Sequence, residues 1–188
     1  MEQKNESIVQ VDEDGKIVGP VFFREAHPKE GKGIRHVTSN VFLFEDKNFN
    51  RILLTKRSKN ISRPGAFNVT IGGHVNWLTH EGRSEDPMKT ALKELSEEVF
   101  YGLPLPNVTL NHLAYFKKDT RPNDPEYIHL FSTVYPGPFN PDLHEVEELY
   151  FANLRDVQRE ILERPEKYVS SARPFLNQML SVLEIKLS

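Results

Sequence analysis

The stretch that most constrains this chain runs from Asp86 to Val99, where one short segment encodes a helix with two different faces. Asp86-Pro87 is a start signal: a side chain able to cap a free helix N–H precedes a proline, whose missing N–H costs nothing at the first helical position. Met88, Ala91, Leu92, Leu95 and Val99 then recur at helical spacing and predict an apolar face that must be covered. At about 100° per residue, Glu94, Glu97 and Glu98 fall within roughly 100° of arc beside that face, lining the rim of whatever the helix packs on. Three like charges at i, i+3 and i+4 destabilise an isolated helix by a few tenths of a kcal/mol per pair unless a cation neutralises them. Mg²⁺ suits that task, because it takes a few carboxylates and completes its octahedron with water and substrate phosphate. A Glu-x-x-Glu-Glu run is more often a solvated face, so its surroundings carry the argument.

Those surroundings are mostly β. Ile8–Val11 and Lys16–Gly19 read as a hairpin across Asp14-Gly15, and Val37–Phe44 as a buried strand. Arg51–Thr55 reads as the hairpin partner of that strand, and Phe67–Ile71 as a half-buried strand stopping at Gly72-Gly73. A polar loop is expected from there to Asp86. His112–Phe116, Tyr127–Tyr135 and Leu149–Phe151 look like further strands, and Asn153–Leu162 and Ser171–Leu187 like helices, the latter with Phe175, Met179, Leu183 and Leu187 on a stripe. Interleaved strands and helices without repeats or a linker predict one α/β (α+β) domain over residues 1–188 with a mixed sheet.

Composition narrows the partners. Twenty-four basic against twenty-seven acidic residues give a net charge of −3, no footprint for long nucleic acid or an anionic membrane, so a small substrate fits better. No run approaches the roughly 18 apolar residues of a membrane span, and the expected location is the cytoplasm. There is no cysteine, which excludes thiolate metal sites and cysteine nucleophiles. A monomer and a homodimer are both compatible with the sequence.

Gly73, Glu85 and Lys93-Glu94-Leu95-Ser96-Glu97-Glu98, read together, resemble the signature of the Nudix hydrolases, Gly-x5-Glu-x7-Arg-Glu-U-x-Glu-Glu-x-Gly-U with U apolar. Leu54-x-x-Arg57-Ser58-Lys59, Pro64-Gly65-x-Phe67, Gly72-Gly73-His74-Val75 and Glu145-x-Glu147-Glu148-Leu149-x-Phe151 look like the branch related to isopentenyl-diphosphate isomerase. The likeness implies an α/β/α sandwich around the mixed sheet, with a catalytic loop-helix-loop at about 73–103. It implies Mg²⁺, with Mn²⁺ as a substitute, held by Glu94 and Glu98, with Glu97 and the Gly73 carbonyl as further ligands. It also implies that Arg57 and Lys59 balance phosphate charge, and that the general base is either a box glutamate, Glu97 or Glu98, or an acid of the Glu145–Glu148 segment.

Three departures stand out. Eleven residues separate Gly73 from Glu85 where the pattern has five, enlarging the loop over 76–84, in which Trp77 either stacks on a base or, the favoured reading, anchors the loop in the core. Lys93 replaces the arginine that braces the box against Glu85, and an ammonium lacks the planar fork for that task. Phe100 replaces the closing glycine, with Gly102 two residues on, so the helix is expected to end later. The implied activity is hydrolysis of a diphosphate bond in a small nucleoside-diphosphate-linked or related molecule; the alternative is a nucleotide-binding regulatory protein without turnover. Isomerase chemistry is disfavoured because Gly72 stands where that branch has its cysteine. His27, His36 and His74, with Glu126 as a weak fourth, are candidates for a second metal site of the kind that branch carries.

Overall fold

The computed structural model describes residues 6–183; Leu187, expected on the last helical stripe, lies outside them. The order is β1 (Ser7–Val11), β2 (Ile17–Phe22), α1 (Phe23–Ala26), β3 (His36–Phe44), β4 (Arg51–Arg57), β5 (Phe67–Asn68), β6 (Ile71–His74), β7 (Trp77–Leu78), β8 (Arg83–Ser84) and α2 (Pro87–Glu94). A π-helical turn (Leu95–Val99), β9 (Asn111–Lys118), β10 (Glu126–Val134), β11 (Val146–Asn153), α3 (Leu154–Glu163), a 3₁₀ turn and α4 (Ala172–Leu183) complete it.

β3 is the spine of a nine-stranded mixed sheet. It pairs in parallel with β10 from Glu126↔His36 to Val134↔Phe44, and antiparallel with β6. Every residue of β3 is buried, as expected of a strand covered on both faces. Its alternation sorts the core: Val41 and Leu43 join Ala91, Leu95 and Val99 under α2. Phe42 and Phe44 point the other way, with Val157, Ile161, Phe175 and Met179 of α3 and α4. The expected α/β/α layering is therefore formed by the period-2 side-chain pattern of one strand.

Several local expectations change. β4 meets β3 at a single registered pair, Phe44↔Ile52, and runs instead along β11 from Val146↔Arg57 to Asn153↔Arg51. The expected strand 67–71 is split, β5 lying on β4 and β6 on β3, and β6 continues through Gly72-Gly73 to His74. The enlarged loop holds a small β7–β8 hairpin, and Trp77 packs against Val9, Val11, Val37 and Val75, as an anchor should.

Asp86 caps α2 as its sequence predicts, its carboxylate accepting from Met88 N–H at 2.9 Å. Met88 is 40% exposed and does not join the buried face that its spacing predicts. The helix does not run on towards Gly102. Its last turn widens to the π form, with Phe100 N–H donating to the Leu95 carbonyl at 3.1 Å, and Phe100 then leaves the axis to pack on Tyr135 and Phe139.

Candidate active site and a second metal-ligand cluster

Helix α2 is tied to the sheet by Ser39, whose hydroxyl donates to the Pro87 carbonyl at 2.7 Å. This lays Glu94 directly on Gly73: a Cβ built there would fall 2.5 Å from Glu94 Oε1 and 2.9 Å from Oε2. Beyond it, in the wide turn, Glu98 is half-buried within reach of the charge of Glu94, while Glu97 stands out towards solvent. Glu97 is 58% exposed and faces Lys93 at 3.8 Å. Burial, then the charge of Glu97, raises the Glu94 carboxyl to about 7. Burial also pushes Glu98 well above the usual carboxylate range, with the charges of Glu94 and Glu145 adding to it and Arg57 opposing. Glu145 reaches this group from the turn before β11, held where its carbonyl accepts from Ser58 N–H at 2.9 Å. Two half-buried carboxylates and a third close by thus share one guanidinium, an excess of negative charge that a divalent cation with hard oxygen ligands would relieve.

The remaining expected residues divide. Arg57 lines the adjoining cleft, its Nε donating to the Ser62 carbonyl at 2.7 Å and a terminal nitrogen to the Ser62 hydroxyl at 3.0 Å. Lys59 is exposed and is not among the residues lining that cleft. The Lys93–Glu85 brace does not form among the described residues. Lys93 reaches Glu97 one turn on, and Glu85 instead accepts from the Thr90 hydroxyl at 3.0 Å, which ties the loop to the helix by a shorter route. The single-point ammonium thus leaves the brace to a neutral hydroxyl, in keeping with the loss of arginine's fork.

The cleft, about 360 Å³, runs from Arg57 past Gly72 and Gly73 to a cluster that the sequence revealed in part. His27, His36 and His74 have ligand nitrogens within 4.8 Å of one another, and His36 forms a second such group with Asp124 and Glu126. Asp124 was not anticipated. It enters because the parallel pairing of β10 on β3 sets Glu126 opposite His36, with Asp124 two residues before it. An Asp-x-Glu at a strand start was the available signal, but its relation to the histidines depends on strand order.

The atoms in this cluster are arranged as ligands. His36 Nδ1 lies 2.9 Å from the Ile34 carbonyl and His27 Nδ1 2.9 Å from the Phe23 carbonyl; each carbonyl accepts a hydrogen bond from Nδ1–H, which fixes the proton there and leaves Nε2 to face inward. His27 Nε2 then stands 3.1 Å from His74 Nε2 and 3.2 Å from Asp124 Oδ1, a set of lone pairs that needs a proton or a metal ion between them. His36 Nε2 is buried without a hydrogen-bond partner among the described residues. Burial lowers His36 to about 4 and His74 well below its ordinary value, so both are neutral imidazoles, the form that ligates metal. Burial would raise Asp124, but the His27 contact, Lys118 and Arg121 overcome it and hold the carboxylate ionised. The nitrogen-rich set suits a transition metal, and the all-oxygen set at Glu94 and Glu98 suits Mg²⁺.

Residues 34–178 match the NUDIX domain. The chain belongs to the NUDIX family. Isopentenyl-diphosphate Delta-isomerase from Cereibacter sphaeroides is 28% identical over 169 residues, covering 87% of this chain and 86% of the relative. Among solved structures, DR0079 from Deinococcus radiodurans superposes with a TM-score of 0.72 at 16% identity, covering 93% of this chain and 99% of that one. A MutT NUDIX hydrolase from Burkholderia pseudomallei gives a TM-score of 0.54 at 20% identity, covering 77% and 97%. These confirm the NUDIX fold expected from the box. The place where the isomerase branch carries cysteine is not merely substituted here: a Cβ at Gly72 would overlap the Ser39 carbonyl oxygen and lie 2.8 Å from the Asn40 Cα. Backbone blocks that position to any side chain. Among the described residues no helix is long and apolar enough to cross a membrane.

Proposed function

We propose that this NUDIX protein is a metal-dependent hydrolase of a diphosphate bond in a small phosphorylated molecule. The observation that carries the reading is Glu94 laid on Gly73, with Glu145 and the half-buried Glu98 acting on one another close by. Glu94, Glu98 and the Gly73 carbonyl would hold Mg²⁺, or Mn²⁺ in its place. Bound there, the cation supplies charge screening and lowers the pKa of an attacking water. Phosphoryl transfer needs mainly positioning and charge neutralisation, and Arg57 provides a fixed guanidinium at the cleft wall for the phosphate oxygens. For the general base, Glu145 is favoured over Glu97, because it acts on both Glu98 and Arg57 from an exposed turn while Glu97 is turned out towards Lys93. The blocked position at Gly72 and the absence of cysteine count against isomerase chemistry.

The test is a panel of nucleoside diphosphate derivatives and related diphosphates incubated with Mg²⁺, with phosphate and nucleotide products measured. Turnover that Glu98→Gln abolishes while the far-UV spectrum stays unchanged is the expected result. No turnover on any member would favour a non-catalytic nucleotide-binding protein.

A further inference from the structure

A second pocket of about 200 Å³ opens beside the cleft, sharing Arg57, Ser62, Asn68, Arg121 and Ser171 with it and adding Arg63, Val169 and Ser170. Its lining carries three guanidiniums and three hydroxyls, and no carboxylate among the described residues. Arg121 is paired with Asp124 through one terminal nitrogen, and its buried Nε has no hydrogen-bond partner. Arg63 has no ion-pair partner among the described residues, and its charge acts repulsively on Arg57 and Lys118. It is held with φ +55°, a left-handed conformation that arginine seldom adopts. The pocket also abuts the N-terminal end of α4, whose first turn contains no acidic residue. Arg57 answers the charges of Glu98 and Glu145 and Arg121 is bound to Asp124, so Arg63 is the cation left without a counter-charge among the described residues; with donors from three segments around it, the pocket forms a receptor for a tetrahedral dianion.

We infer that this pocket seats a second anionic group of the substrate, a phosphomonoester distal to the bond that is cleaved. The pocket is continuous with the cleft through Arg57, so the substrate class is a diphosphate that bears a further terminal phosphate. The assignment rests on the hydrolase reading for its setting, and its test separates the two.

Inorganic phosphate is titrated calorimetrically, without divalent metal, into the wild type, Arg63→Ala, Arg63→Lys and Glu98→Gln. Saturable binding is expected in the wild type, about tenfold weaker in Arg63→Ala, partly restored in Arg63→Lys and retained in Glu98→Gln. No saturable binding, or equal binding in Arg63→Ala, overturns the site. Pairs of diphosphate substrates that differ by one phosphomonoester are then compared by kcat/KM. A preference for the phosphorylated member that falls about tenfold in Arg63→Ala supports the assignment. Phosphate binding with no such preference overturns the substrate class and leaves a site for free phosphate. Turnover that survives Glu98→Gln sinks the hydrolase reading alone, because the phosphate titration does not depend on it.

Discussion

Replacing Gly73 by alanine tests the active-site geometry more directly than removing a carboxylate. The new Cβ would lie 2.5 Å from Glu94 Oε1, and ordinary contact begins at 3.4 Å, so the carboxylate must retreat by 3.4 − 2.5 = 0.9 Å. The obstructing atoms are the far end of a flexible side chain, and Gly73 is not among the glycines with positive φ, so the backbone accepts alanine. Stability should therefore change by less than about 1 kcal/mol. A ligand displaced by nearly an ångström costs on the order of 100-fold in turnover, because metal and reacting oxygen are positioned together. Gly72→Ala is the contrasting control: its Cβ overlaps a backbone carbonyl of β3, which cannot step aside, and the fold should lose about 1–3 kcal/mol. Urea denaturation gives the stabilities, and initial rates over an Mg²⁺ titration give turnover and apparent metal affinity. If Gly73→Ala hydrolyses its substrate at the wild-type rate with an unchanged Mg²⁺ midpoint, Glu94 is not a ligand held against Gly73, and the argument for the site fails.

The other predictions concern different parts of the molecule. His74→Ala should strip Mn²⁺ or Zn²⁺ from the histidine cluster, read as metal content after dialysis; retention of the metal at wild-type stoichiometry would remove that site from consideration. His129 is half-buried, stacked on Tyr115 at 4.3 Å, and burial lowers it to about 4 from 6.5, with His112 adding to the shift. Its folded-state pKa is depressed, so the neutral ring stabilises the fold above 6.5 and that contribution, at most about 3 kcal/mol, is lost as pH falls from 6.5 towards 4. His129→Phe should flatten that part of the stability profile, measured by urea unfolding at pH 7 and pH 5; an unchanged difference between the two would contradict the assignment.

Much of the fold was legible because its signals are local. The cap at Asp86, the apolar positions Ala91, Leu95 and Val99, and the alternation along β3 depend on neighbours a few residues apart, and each stands where periodicity puts it. The errors arose where partners compete. Phe67–Ile71 carries the pattern of one strand, but β4 and β3 each claim half of it, and nothing in the segment encodes the break. Regular α-helical spacing also does not encode the π turn, in which Glu97 is exposed and faces Lys93.

The sequence by itself determined the chemistry available to this protein: carboxylates one turn apart on a capped helix, a glycine pair at a strand end, and no cysteine. These are properties of residue identity and short-range spacing, which backbone geometry translates directly into position. Tertiary structure alone decided which of those groups meet. His36, Asp124 and Glu126 converge because β10 lies parallel to β3, His74 joins them because β6 lies antiparallel on the same strand, and the cations of Arg57, Arg63 and Arg121 share a pocket because the loop after β4, the turn before β10 and the start of α4 close on one another. Such meetings are set by strand order and packing over long separations, where no local period carries the information.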